Sequence, residues 1–422
     1  MLTKSVQAFA NAKNLKNLLI YGFGQVFNLV TPLLVVPYIV FICGIENYGK
    51  VSIGMAISFF LMVFIDYGSD IVNVREVAIN REDSKKLEKI FVTTFLAKLV
   101  MLLVVMAVAS IIFCLVPFFK KETALFFLGI SVLVGQFLNP TWFLQGLENF
   151  KSITVATIVS KVVYLVLIFL FITKKSDYIY INLFWGAGSI IANGIMTIFI
   201  MKKNSFSLRS SSKSEIILFL SSNFNMFFSQ IFVSMQMYAP IMLIGFFGNN
   251  LMAGYYKIVE QIIVVFKTYI FLFFNFVYPR VCFLMEKKWK EGLIFWKKYN
   301  GLNFLFIAMC MLIINFFTAP IVRYFTEKDV EIIIQLLRIA TLLPILLAVS
   351  IPLKQLLLAL NMQQIYVRLT MVLVVVNLLA IVLLIPIYEI YGVFYSLIAI
   401  ELCTIVTYSI YLKIKFKTPD IK

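Results

Sequence analysis

The sequence predicts an all-α integral membrane protein: about twelve transmembrane helices arranged as two pseudo-symmetric six-helix bundles. Three observations carry this expectation. Of the 422 residues, 62% are hydrophobic and only 14% are charged, whereas soluble domains carry about 25% charged residues. Apolar stretches of about 20 residues, the length that crosses a bilayer, recur from end to end, and no long polar domain interrupts them. Lysine and arginine are also shared unequally between alternate gaps.

The spans are expected at 17–41, 51–74, 90–116, 123–143, 153–173, 179–201, 215–247, 251–278, 300–320, 331–358, 366–386 and 391–412. The first 16 residues are polar and basic, with no apolar signal region, so the first helix is expected to stay in the protein. One set of gaps, together with both tails, holds 25 Lys and Arg residues; the opposite set holds seven. That imbalance places both termini in the cytoplasm. It also accounts for the net charge of +17 through topology and anionic lipid headgroups, so membrane lipids are expected partners and nucleic acid is not.

The chain reads as doubled. Pro37, Gly44 and Gly49 close the first span and open the second; Pro240, Gly248 and Gly254 do the same for the seventh and eighth. Six helices per half make a parallel repeat. The expected domains are an N-terminal bundle at 1–201, a Ser-rich basic linker at 202–214 and a C-terminal bundle at 215–422.

Polar residues fall in stripes. The eighth span, GYYKIVEQIIVVFKTYIFLFFNFVY, puts Lys257, Glu260, Gln261, Lys267, Thr268 and Asn275 on one face about a third of a turn wide. A charge at mid-bilayer costs roughly 2.5–3.5 kcal/mol on insertion scales, so this face must look into protein or a wet cavity. Similar faces carry Tyr21, Gln25 and Asn28; Asp66, Asp70 and Asn73; Thr157, Lys161 and Tyr164; Asn223, Gln230, Ser234 and Tyr238; Gln335, Arg338 and Thr341; and Glu401, Thr404 and Tyr408. Plainer roles stand beside these. Lys98 can snorkel or pair with Asp66 or Asp70, Lys257 and Glu260 can neutralise each other, and polar stripes also serve as interhelical seams. The deep charge nonetheless leans positive, which suits an anionic, sugar-bearing substrate. The expected substrate-binding residues are Lys98, Lys161, Lys257, Lys267 and Arg338 for anionic groups, with Asn223 and Gln230 for sugars. Asp66, Glu260 and Glu401 are the expected ion-coupling residues.

Enzyme chemistry has little to work with. There is no histidine, which removes His-ligated metal sites and Ser–His catalysis. The five cysteines are scattered in apolar runs and read as small packing residues. No Walker-type phosphate loop is present, the outer gaps are short, and no cofactor is expected. The chain reads as a transporter and not an enzyme.

At 140–151 the chain reads PTWFLQGLENFK, which resembles the Trp-Phe-x-Gln-Gly-x-Glu segment of O-antigen and capsular repeat-unit flippases of the Wzx type. DYGSDIVNVREVA at 66–78, AGYYKIVEQII at 253–263, YPRV at 278–281 and Gly392 with Glu401 are similar to further segments of that family, in the same order. The resemblance implies the fold of the multidrug/oligosaccharidyl-lipid/polysaccharide (MOP) exporter superfamily. It implies that the chain moves an undecaprenyl-diphosphate-linked oligosaccharide across the bacterial inner membrane by alternating access. It further implies an O-antigen polymerase and its chain-length machinery as partners. The residues themselves leave two rivals: a lipid II or multidrug exporter of the same superfamily, and a membrane glycan polymerase or ligase. The positive lean of the deep charge disfavours cationic drugs, and the short outer loops disfavour the enzymes.

Overall fold

A computed structural model describes residues 12–360 and 362–417. The first 11 residues of the N-terminal tail, the last residues of the C-terminal tail and the Tyr21 side chain lie outside the described residues.

Helices account for almost all of the described chain, and no strand occurs among the described residues. In chain order they are α1 (Ala12–Cys43), α2 (Ile45–Asp66), α3 (Ser69–Ile79), α4 (Ser84–Leu115), α5 (Pro117–Lys120), α6 (Thr123–Phe137), α7 (Thr141–Gly146), α8 (Phe150–Phe171), α9 (Ile181–Lys203), α10 (Lys213–Phe247), α11 (Asn250–Lys287), α12 (Trp289–Phe316), α13 (Thr318–Phe325), α14 (Val330–Ala340), α15 (Leu342–Ala359) and α16 (Gln363–Lys417). Among the described residues, eleven stretches are long and apolar enough to cross a membrane. The last of them runs from Gln363 to Ile414 and is bent at Glu389, whose φ of 51° and ψ of −135° are not helical. Each limb of α16 exceeds the ~20 residues that a bilayer needs, which makes twelve spans; the second, however, ends at Asp66 and not at 74, because Tyr67 and Gly68 turn the chain there and put Asp70 and Asn73 on α3, off the helix that carries Asp66. This is a multi-pass membrane protein.

Local chemistry sets the boundaries. Gly44, with φ 86°, makes the corner between α1 and α2, a conformation that a Cβ would strain. Asp83 caps α4 by accepting from the Lys86 amide at 3.1 Å. Asn149 caps α8 at the Ser152 amide, and Asn249 caps α11 at the Met252 amide. Pro344 sits just past the break at Thr341 that separates α14 from α15, where a missing N–H helps to end the preceding helix.

The chain packs as two compact units, Met1–Tyr238 and Ala239–Lys422. In the first, α9 packs tightly on α6 and α8 because two glycines let it. A Cβ at Gly186 would collide with Ser131 of α6, and one at Gly188 would collide with the Ser160 carbonyl of α8. A separate apolar cluster joins Val77 of α3, Phe91 and Val92 of α4, Trp142, Phe143 and Leu144 of α7, Ile153 of α8 and Phe206. Burying aromatic side chains of this size is the main stabilising term available to such a cluster. In the second unit, Val277 and Val281 of α11, Leu356 and Leu357 of α15, and Tyr408 and Leu412 of α16 form the corresponding core. There the Trp296 indole donates to the Pro352 carbonyl at 3.1 Å, tying α12 to α15.

Candidate functional site

In the first unit the left-handed pair Tyr67 and Gly68, with φ 47° and 77°, turns the chain sharply after α2 and leaves Asp66 at the helix end. There it meets Lys98, which is 2% exposed, at 2.8 Å. The second Asp66 oxygen accepts from the Gln136 amide at 2.7 Å. The network continues outward: Asn139 donates to Gln136 Oε1 at 3.3 Å, and Asn139 Oδ1 accepts from the amide and hydroxyl of Thr141. A buried charge pair is thus wired, bond by bond, to the first residue of α7. Asn73 donates to the Thr94 hydroxyl at 2.6 Å beside it, while Asp70 is exposed.

Lys161 stands differently. It is 7% exposed, and its ammonium lies 3.2 Å from the centre of the Trp185 ring. Tyr164 meets that ring edge-on at 5.1 Å, and Phe59 of α2 approaches it at 5.9 Å. Among the described residues no carboxylate pairs with Lys161. Asn223 is buried and Gln230 half-buried on α10.

The second unit holds the other expected residues. Lys257 and Glu260, one turn apart on α11, form an ion pair at 2.7 Å and are both partly exposed. Lys267 is half-buried and lies within electrostatic reach of both Glu260 and Glu401. Glu401 on α16 keeps one carboxylate oxygen buried with no hydrogen-bond donor. Arg338 is exposed at the end of α14. Its neighbour Gln335 accepts from the Tyr391 hydroxyl at 2.6 Å, and Thr341, at the break, accepts from Asn315 at 2.8 Å.

The geometry therefore separates the expected residues into local groups. Asp66 and Lys98 come together as a pair, as do Lys257 and Glu260; Lys267 approaches Glu401; Lys161 stands on tryptophan. Two participants escaped the sequence reading. Gln136 was a lone amide near the end of an apolar span. Trp185 was an aromatic residue in a run already rich in them, although the Gly-Ala-Gly at 186–188 beside it marked a close helix contact. No group of three or more His, Cys, Asp or Glu residues gathers into a metal-binding arrangement among the described residues.

The family-like segments also find their places. Trp142, Phe143 and Leu144 of WFLQGLE are buried in the apolar cluster. A Cβ on Gly146 would come within 2.6 Å of the Val77 Cβ and 2.9 Å of the Val74 carbonyl. The 66–78 and 140–151 segments are thus pressed against each other at a point where only glycine fits.

Residues 14–285 match the family model described as "Polysaccharide biosynthesis protein". The chain belongs to this family. Its similar relatives include two proteins named "Putative O-antigen transporter". The one from Escherichia coli (strain K12) is 23% identical over 67% of this chain and 68% of its own length. The one from Shigella dysenteriae is 23% identical over 81% of this chain and 85% of its own. Among solved structures, this polysaccharide biosynthesis family member superposes on the lipid II flippase MurJ in an inward closed conformation. That match has a TM-score of 0.73 and 15% identity, over 94% of this chain and 87% of that one. It also superposes on an inward-facing multidrug transporter of the MOP superfamily, with a TM-score of 0.69 and 13% identity, over 94% and 96%. At these identities the likeness is one of fold, and the fold is that of MOP superfamily transporters.

Proposed function

We propose that the protein is a flippase that moves undecaprenyl-diphosphate-linked O-antigen or capsular oligosaccharide repeat units from the cytoplasmic to the periplasmic leaflet of the bacterial inner membrane. The observation that carries this reading is the match of residues 14–285 to a polysaccharide biosynthesis family on a transporter fold. The relatives named for O-antigen transport, each covered over more than two thirds of its length, support the substrate class. In this reading both termini are cytoplasmic, and the protein works by alternating access. Lys98, Lys161, Lys257, Lys267 and Arg338 supply positive charge for anionic groups, while Asn223 and Gln230 contact sugars. Asp66, Glu260 and Glu401 carry the ion coupling, and Glu401 suits that role because one of its oxygens is buried without a donor.

Deleting the gene is expected to leave single lipid-linked repeat units accumulating on the cytoplasmic face, with surface polysaccharide lost. Alanine at Lys161, Lys267 or Arg338, taken singly, is expected to lower surface polysaccharide while the protein remains in the membrane. Unchanged lipid-linked intermediates in the deletion strain would overturn the flippase reading, and normal polysaccharide in all three variants would overturn the residue assignment.

A further inference from the structure

We propose that Gln136 is a positioning residue through which a proton gained by Asp66 releases the start of α7. The proposal rests on the reading of Asp66 as an ion-coupling residue and deepens it by naming what its proton moves.

The hydrogen bonds around Asp66 all run one way. An ionised carboxylate accepts and cannot donate. Asp66 Oδ1 faces the Lys98 ammonium at 2.8 Å, and Oδ2 accepts from Gln136 Nε2 at 2.7 Å. The Gln136 amide is thereby oriented, with Oε1 left to accept from Asn139 Nδ2 at 3.3 Å. Asn139 is oriented in turn, so its Oδ1 takes the Thr141 amide at 3.0 Å and the Thr141 hydroxyl at 2.6 Å. Every donor points toward one anion, an arrangement in which each bond strengthens the next.

A proton has no place in this arrangement. On Oδ1 it would face an ammonium, which only donates; on Oδ2 it would face the Gln136 NH2 group. The ammonium has no acceptor to turn toward it, whereas the amide does. The Asp66 side chain is 15% exposed, so the carboxylate is not sealed from protons. Once it is protonated, Gln136 turns Oε1 to the new O–H, Asn139 turns to accept from Gln136, and Asn139 Nδ2 comes to face Thr141. The Thr141 hydroxyl rotates and accepts. The Thr141 backbone N–H cannot, and at the start of a helix it has no intrahelical carbonyl to bond. The reversal therefore stops at the first residue of α7, whose amide loses its acceptor.

The surroundings hold still. The end of α6 is also tied to α9: Asn193 donates to the Gly135 carbonyl at 2.9 Å and Thr197 to the Leu138 carbonyl at 2.7 Å. Neither bond involves a charge. The charged groups near Asp66 are Lys98 of α4 and Asp70 of α3, and α6 carries none. The change is confined to 139–146, where a helix of six residues is too short to hold itself and relies on its cap and on Trp142, Phe143 and Leu144 in the apolar cluster. Such a loss is local, so it is read by exchange and not by melting.

The test is hydrogen–deuterium exchange of the full-length protein in lipid nanodiscs, with α9 as the internal reference. Asp66→Asn imitates the protonated acid, because its oxygen must face Lys98 and its NH2 group must face Gln136. Exchange at 139–146 is expected to be about fivefold faster than in the wild type, as one lost hydrogen bond gives. Gln136→Leu, which leaves the Asp66–Lys98 pair intact, should give the same rate, and the two changes together no more. Asp66→Asn with Gln136→Glu puts an acceptor back at 136 and should return the segment to the wild-type rate, a rescue that a merely structural loss does not allow. Should Asp66→Asn fold poorly, the pH response carries the test. From about pH 7 to about pH 4, where carboxylates titrate, the wild-type segment should loosen; Asp70→Asn should keep that response and Gln136→Leu should abolish it. Wild-type exchange in Asp66→Asn, additive effects, no rescue by Gln136→Glu, or a pH response that survives Gln136→Leu would each overturn the proposal. Failure of the ion-coupling reading is a different result, since it is read from gradient-driven transport by Asp66→Asn and not from exchange.

Discussion

The Lys98 ammonium lies 2.8 Å from Asp66 Oδ1, with Lys98 2% exposed and the Asp66 side chain 15% exposed. Breaking a buried pair by removing one partner typically costs about 3–5 kcal/mol, because the survivor keeps an uncompensated charge, whereas replacing both partners with apolar residues is often close to neutral. Asp66→Ala is therefore expected to lower the apparent melting temperature in detergent strongly, and Asp66→Leu combined with Lys98→Met to restore most of it. A double variant as unstable as the single one would show that the pair does more than neutralise itself.

The Lys257–Glu260 pair is the contrasting case. It lies one turn apart on a single helix with both groups partly exposed. Such pairs contribute only about 0.2–0.5 kcal/mol. Lys257→Gln is expected to leave the melting temperature within experimental scatter. If Glu260 couples ions, Glu260→Gln should still abolish gradient-driven transport of a lipid-linked substrate in proteoliposomes at unchanged stability.

Glu401 gives a sharper version of the same comparison. One carboxylate oxygen is buried with no donor. Glu401→Gln removes a buried charge at almost constant volume, so stability is expected to be equal or higher. Transport driven by an ion gradient is expected to fall in the same protein. A less stable Glu401→Gln variant would mean that the carboxylate is held by the positive charge around it, from Lys267 and Lys354.

Gly146 tests the contact between α3 and α7. A Cβ there would lie 2.6 Å from the Val77 Cβ, and overpacking of this kind costs about 1–3 kcal/mol. Gly146→Ala should reduce both yield and melting temperature, and adding Val77→Ala should recover little of the loss, because the Val77 Cβ and the Val74 carbonyl stay in place.

Much of the fold was legible because the bilayer imposes it. With no water to satisfy backbone groups, a spanning segment must be a helix, so hydropathy alone located the spans. It also separated the two limbs of α16 at Glu389, where hydrogen-bond continuity alone merges them. That Lys98 and Lys161 lie within apolar helices was legible for the same reason. Their different surroundings were not. Helical arithmetic says which face a residue occupies, but the partner arrives from another helix, as Asp66 does for Lys98 and Trp185 for Lys161. Gln136 was hidden by the same limit: its role depends on α2 ending beside α6, a neighbourhood that no local pattern encodes.

The lock between Gly146 and Val77 has a consequence for how such chains are sorted. WFLQG marks this chain as one of its kind, yet its aromatic residues are buried in the helix packing and its glycine is spent on a close crossing. A search keyed to that string groups proteins by how they are assembled and is blind to their cargo.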